Sequence, residues 1–162
     1  MPGEPTYKNN LGLSLFERKH YDDAIVAYNE AIALETAKIN LEPGRSRENL
    51  SFYHKNLGLA LYHMEDLDEA LKQYNLAIDE NPNSADNYFN LGNVKLNQGR
   101  FDEAHEAFEN AIQREDRNAK FYHAKGLAYQ AEAEAIARSK HHSLDLEEEK
   151  IENAIRFFQY AL

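Results

Sequence analysis

An all-α chain of four antiparallel helix pairs is what the sequence predicts, and three observations predict it. Apolar residues recur at spacings of three and four almost throughout, and the strict alternation of a half-buried strand is missing. Glycines return at a 34-residue interval from Gly58 to Gly92 and from Gly92 to Gly126, and the step from Gly12 to Gly58 is 46, or 34 plus 12. Twelve residues after each of the first three comes an alanine (Ala24, Ala70, Ala104), then an aromatic four later (Tyr28, Tyr74, Phe108) and a second alanine three beyond that (Ala31, Ala77, Ala111). The fourth unit carries the same tail, Ala154, Phe158 and Ala161, displaced to 28 residues after Gly126.

This spacing describes two helices per unit. The Leu-Gly step sits midway along the first helix and the first alanine midway along the second, so the two backbones can approach closely. Large residues fill the space beside that contact. Glycine in a helix interior costs about 1 kcal/mol against alanine, so its return at a fixed period marks a required close approach. The pairs predicted are Gly12 against Ala24, Gly58 against Ala70, Gly92 against Ala104 and Gly126 against Ala154.

In chain order, the first unit covers about residues 5–38 and is followed by an insertion at about 36–50. There Leu34 to Leu41 continues the helical pattern, Glu42-Pro43-Gly44 stops it, and Ser46 is placed to cap the next helix. Two lengthened helices meeting at a tight turn are expected. The second and third units cover about 51–84 and 85–118. The fourth, about 119–162, carries an internal insertion at about 133–150. Its "AYQAEAEAIARSK" is rich in strong helix formers, so its first helix is expected to run to about Lys140. Asp145 with Glu148 reads as an N-cap with its capping-box partner, and Glu147–Glu149 suit the positive helix end. Both helices are expected to grow by about two turns, leaving a hairpin that projects around His141–Asp145.

Composition excludes several function classes. A net charge of −10 and a pI of about 5.1 argue against nucleic acid and anionic membranes, both of which need a basic face. No apolar run approaches the roughly 20 residues of a membrane span. The opening MPGEPTYKNN lacks the basic and apolar regions of a signal peptide, so a cytoplasmic or nuclear protein is expected. There is no cysteine, His141 and His142 are adjacent and splay apart, and no HExxH spacing occurs, so no metal site is expected. With no phosphate-cradling glycine loop and no nucleophile elbow, neither a cofactor nor enzyme activity is expected.

The 34-residue period, with Leu-Gly followed by Ala-x3-aromatic, resembles the tetratricopeptide repeat (TPR) family. "FNLGNVKLNQGRFDEAHEAFENAI" (89–112) carries the pattern best, with "NLGLALYHMEDLDEALKQYNLAIDENP" (56–82) nearly as good. The resemblance spans essentially the whole chain. It implies a right-handed α-α superhelix, a TPR solenoid, and a non-catalytic protein-interaction module. Three departures stand out. Lys8 and His54 replace the aromatic that often precedes Leu-Gly by three, the closing proline survives only as Pro82, and Lys95 occupies a usually apolar position beside Val94 and Leu96.

Asn10, Asn56 and Asn90 each stand two residues before a glycine, whereas the fourth unit has Ala124. The resemblance places that position on the concave face, and an amide offers both donor and acceptor to one peptide unit. A ladder of amides matching an extended peptide is therefore expected. Sharing that face by spacing are Leu13, Lys55, Leu59, Tyr62, Phe89, Asn93 and His123, with Phe52 and Lys120 extending it. Phe52, Tyr62 and Phe89 are the expected apolar anchors, and neutral or basic peptides the expected ligands. The carboxylate clamp of co-chaperone repeats needs cations where this chain has Asn9, Leu13, Asp86 and Asn90, so that mode is disfavoured. An adaptor or scaffold that binds a protein or peptide partner is the first reading. A structural subunit docking through its edges and ends in a larger assembly is the second. Apolar "NAIRFFQYAL" at 153–162 further suggests continuation into a longer array, or end-to-end self-association.

Overall fold

A computed structural model describes residues 3–42, 44–139 and 143–162. Its eight helices, among the described residues, fall into two compact units, Met1–Asn83 and Ser84–Leu162. The first unit holds α1 (Pro5–Glu17), α2 (Tyr21–Leu41), α3 (Glu48–His63) and α4 (Leu67–Glu80). The second holds α5 (Ala85–Asn97), α6 (Phe101–Arg114), α7 (Ala119–Ala137) and α8 (Leu144–Tyr160). Consecutive helices pack on one another within each unit, and α1 also touches α3 as α5 touches α7. This is the helical solenoid that the repeat predicts.

Local sequence explains where the hairpins turn. Pro5 begins α1, where its missing N–H costs nothing, and Asp22 and Asp23 meet the positive end of α2. The first three pairs turn through one residue in the left-handed region: Lys19 at φ 63°, Glu65 at φ 62° and Gly99 at φ 70°. Each turn closes with the double bond of a Schellman motif. Lys19 N–H reaches Phe16 O at 2.8 Å and His20 N–H reaches Leu15 O at 2.9 Å; the bonds recur at Glu65–Asp66 and Gly99–Arg100.

Each repeat glycine faces the aromatic that follows the alanine, rather than the alanine itself. A Cβ at Gly12 would lie 2.5 Å from the Tyr28 ring, at Gly58 2.9 Å from Tyr74, at Gly92 2.6 Å from Phe108 and at Gly126 2.6 Å from Phe158. The alanines then let the neighbouring helix close in: Ala24, Ala31, Ala70, Ala77, Ala104 and Ala111 are all completely buried. Burial pushes the Tyr28 hydroxyl up to about 12, with the Glu17 charge adding to it. In the second unit Phe89, Phe108 and Phe121 form one cluster with Ala104, Ala111 and Ala128, its ring centroids 5.3–6.0 Å apart. Lys95, at its usually apolar position, stays half-buried by pairing with Glu103 at 2.9 Å, while Val94 takes the core position.

The insertions differ in detail from expectation. The extension of α2 does run to Leu41, and its carboxyl group Glu35 is buried against Arg45 at 2.9 Å. Ser46 Oγ accepts from Glu48 N–H, but the residue at the cap position is Arg47, one later than expected. Pro43 lies outside the described residues. In the fourth pair α7 ends at Ala137, short of Lys140, and α8 begins at Leu144 with Ser143 as its cap, Oγ accepting from Leu146 N–H at 3.4 Å. Asp145 therefore sits in the first turn instead of capping it. The reason is chemical: Ser143 offers an equally good cap oxygen two residues earlier, so the helix gains those residues. At 19 and 17 residues, α7 and α8 exceed the 13 and 14 of α5 and α6 by less than two turns each. The expected projecting tip at His141 and His142 lies outside the described residues.

Candidate functional site

In the first unit the expected face is built from α1 and α3. Two polar contacts bridge them: Asn56 Nδ2 donates to Asn9 Oδ1 at 2.9 Å, and the Tyr53 hydroxyl lies 3.4 Å from Thr6 Oγ1. Asn56 and Asn9 are both buried. Asn56 thus departs from its expected role, because its amide donor is engaged by a neighbouring helix. Burial decides this: an amide shut between two helices must find its partner there. Beside that bond, Leu13 and Leu59 remain half-buried, Phe52 is exposed, and Lys55 Nζ sits 4.6 Å from the Phe52 ring centroid. Tyr62 contacts His63, which stacks on Tyr21 at 5.2 Å with Phe16 completing the cluster. Asn10 is exposed, on the side of α1 that corresponds to the buried side of α3.

In the second unit the face is built from α5 and α7. Phe89 is buried in the core between Phe108 and Phe121, so it is not the expected open anchor. Phe89 stands three residues before its glycine, where α3 has the half-buried Lys55, and Phe52 stands six before its own, where α5 has the exposed Asp86. Lys120 lies over the Phe89 ring at 4.0 Å and 3.8 Å from Asp86, and both charged groups are exposed. Asn90 and Asn93 are half-buried and His123 is exposed, its ring 5.4 Å from Phe158. Lys120, His123, Leu127 and Gln130 of α7, with Ile155 and Phe158 of α8, line an apolar trough of about 890 Å³.

Two polar clusters went unread in the sequence. His54 donates from Nδ1 to Gln73 Oε1 at 2.7 Å, and Gln73 Nε2 donates to Glu69 Oε1 at 2.7 Å, tying α3 to α4. Burial holds the His54 imidazole below its ordinary pKa despite that bond. Between α6, α7 and α8, His105 stacks on Tyr129 at 3.8 Å and meets Glu132 at 3.1 Å, and Glu132 also binds Lys150 at 3.2 Å. Lys125, buried, pairs with Glu109 and covers the Phe157 ring at 4.6 Å. Such contacts join residues whose spacing follows no repeat, so periodicity carries no trace of them.

At the positions of a carboxylate clamp this chain carries Asn9, Leu13, Asp86 and Asn90. Asn9 is buried and paired, Leu13 is aliphatic, and Asp86 is a carboxylate, so no cationic grip on a terminal carboxylate is assembled. Among the described residues no three carboxylate, histidine or cysteine side chains converge to hold a metal ion, and no helix is long and apolar enough to cross a membrane.

Stacked helical hairpins, glycine against aromatic in every pair, define a helical-repeat protein whose accessible faces are mixed amide, aliphatic and aromatic. The chain belongs to the tetratricopeptide repeat family: residues 5–37 and 85–118 match the family profile described as tetratricopeptide repeat, and residues 58–99 match one described as TPR repeat. No curated protein sequence matches. Among solved structures, a crystal structure of MamA is 22% identical, covering 99% of this chain and 77% of that one at a TM-score of 0.73. The first TPR of Spaghetti (RPAP3), bound to the HSP90 peptide SRMEEVD, is 19% identical over 80% of this chain and 94% of its own, at 0.66. YrrB, described as a TPR protein with an unusual peptide-binding site, is 19% identical over 97% and 72%, at 0.65. Identities this low speak for the fold alone.

Proposed function

We propose that the chain is a non-catalytic interaction module, an adaptor or scaffold that holds an extended segment of a protein partner along the accessible face of its first helices. One observation carries this reading. On α1 and α3 the side chains of Leu13, Phe52, Lys55, Leu59 and Tyr62 keep partial or full exposure, although the flanking positions Asn9, Tyr53, Asn56 and Ala60 are buried. The second unit offers the same kind of face in Asn90, Asn93, Lys120 and His123. Apolar patches with amides among them suit a peptide, whose backbone needs donors and acceptors and whose side chains need pockets.

The family's peptide-bound member Spaghetti and the peptide site of YrrB support the class of ligand. The ligand chemistry here differs from SRMEEVD, because the clamp cations are missing and the chain carries −10 overall. Neutral or basic peptides fit best, with a carboxylate tolerated only near Lys55, Lys120 and His123. The test is a peptide panel of graded charge, measured by fluorescence anisotropy against the native chain, Leu59→Ala and Asn93→Ala, with melting curves alongside. Loss of the Asn93 hydrogen bond should weaken a bound peptide by about 0.5–1.5 kcal/mol with the fold intact. Peptides that bind all three chains equally, or that favour acidic sequences, would overturn the assignment.

A further inference from the structure

One core position of the first unit carries a polar group with nothing to bind. Tyr28 of α2 stands where α6 and α8 have Phe108 and Phe158, and like them it packs its ring on the glycine of the preceding helix, here Gly12. Tyr28 adds a hydroxyl in a residue that is only 1% exposed. Among the described residues that hydroxyl has no hydrogen-bond partner. The one side-chain nitrogen or oxygen there that is both unpartnered and sealed from solvent is His105 Nδ1, so the Tyr28 hydroxyl still meets solvent. A hydrogen bond left unmade at a nearly closed site costs stability that phenylalanine would recover, which points outside the chain for the partner.

A carboxylate stands beside this hydroxyl. Glu17 lies five residues after Gly12 on α1, and burial together with the Glu17 charge keeps the Tyr28 hydroxyl protonated. Glu17 is exposed and, among the described residues, pairs with no cation. This position is open on interior helices too, since its counterparts His63 of α3 and Asn97 of α5 are exposed. One turn beyond Gly12, on the side that Tyr28 packs against, Phe16 is half-buried with its ring 5.3 Å from Tyr21 and 5.2 Å from His63.

We infer that Tyr28, Glu17 and Phe16 form a subsite for one basic side chain of the bound segment, a step that deepens the peptide-binding reading above and rests on it. A lysine ammonium or arginine guanidinium donates one N–H to Tyr28 Oη and another to the Glu17 carboxylate, while its aliphatic stem lies along the Phe16 ring. A main-chain carbonyl oxygen would meet the Glu17 charge with the same sign, so the site selects a cation over peptide backbone. The other pairs each lack a member. Tyr74 has the hydroxyl, but His63 takes the place of the acid; the third and fourth pairs have Phe108 with Asn97 and Phe158 with Ala131. The subsite is therefore single, and it fixes where along the face a basic residue lies.

The probes are two sets of fluorescein-labelled peptides built from alanine, leucine and serine, one set with a single lysine moved along the sequence and the other with norleucine in its place. Anisotropy against the whole chain should show that lysine at its best position binds about 3- to 10-fold more tightly than norleucine there. Tyr28→Phe and Glu17→Gln should each shrink that ratio, and the double variant should bring it to unity, while the norleucine set binds every variant as it binds the native chain. Melting curves add a readout that needs no peptide. Tyr28→Phe should melt no lower than the native chain, because no internal hydrogen bond is lost. A native ratio near unity, a ratio that neither substitution changes, or a Tyr28→Phe chain that melts lower overturns the inference and leaves groove binding standing. Failure of both peptide sets to bind the native chain removes the groove reading itself, and the subsite with it.

Discussion

Replacing glycine with alanine at two equivalent positions should give opposite results. At Gly92 the new methyl would stand 2.6 Å from Phe108 Cε1 and 2.7 Å from Cδ1, well inside any real carbon–carbon contact. Phe108 has no exposure, and Phe89, Ala104 and Ala111 surround it, so the ring has nowhere to go. Helix propensity returns about 1 kcal/mol, while overpacking a closed core costs about 1–3 kcal/mol. The net change is a destabilisation of about 0–2 kcal/mol. At Gly126 the same methyl would stand 2.6 Å from Phe158. Phe158, however, is only half-buried and faces the open trough, so its ring can swing aside. There the propensity gain is expected to survive, leaving Gly126→Ala neutral or up to about 1 kcal/mol more stable. Urea unfolding in dilute solution, with midpoints converted through a common slope, measures both variants within one compact unit. A second comparison isolates the ring: on a Phe108→Leu background, Gly92→Ala should become favourable. The reasoning is refuted if Gly126→Ala is as damaging as Gly92→Ala, or if Gly92→Ala stabilises the native chain.

Two further outcomes follow from the turns and the buried imidazole. Glu65→Gly should raise stability by a few tenths to about 1 kcal/mol in the same assay, because a side chain at φ 62° carries about 1–2 kcal/mol of left-handed strain, partly offset by glycine's greater freedom when unfolded; Gly99 already shows the residue that the turn prefers. Burial depresses the His54 pKa in the folded chain, so the unfolded state binds the proton more readily. Stability should therefore be complete above the ordinary histidine pKa of about 6.5 and fall as pH drops below it. His54→Gln should flatten that part of the pH profile, and an unchanged profile would remove His54 as its cause.

How much of this was legible depends on what each residue answers to. The pairing of helices could be read because Gly12, Gly58, Gly92 and Gly126 each solve one packing problem, and a solution repeated at a fixed interval leaves a periodic record. The extension of α2 was legible for a similar reason, since Leu34 to Leu41 continues one stripe. The cap of α8 was not, because Ser143 and Asp145 offer the same chemistry two residues apart and only the backbone chooses between them. The site was hardest. Asn10, Asn56 and Asn90 look alike in sequence, yet Asn56 is buried against Asn9, Asn90 is half-buried and Asn10 is exposed. Phe52 stands six residues before its glycine and Phe89 three before its own, and neither position by itself says that Phe52 ends exposed while Phe89 is closed into a core. A helix's own pattern says which side is apolar; which side is covered is decided by the next helix.

Within each unit, helices contact only partners one or two elements away along the chain. Most contacts there join consecutive helices, although Asn9 and Asn56 are 47 residues apart, so the chain entropy spent before packing begins to return it is modest. Each hairpin can therefore form early and locally, with the next laid on it as a template. During synthesis an α1–α2 hairpin would be complete before α3 leaves the ribosome, and its exposed flank would wait only for the next stretch of chain. Reliance on such local contacts favours rapid folding.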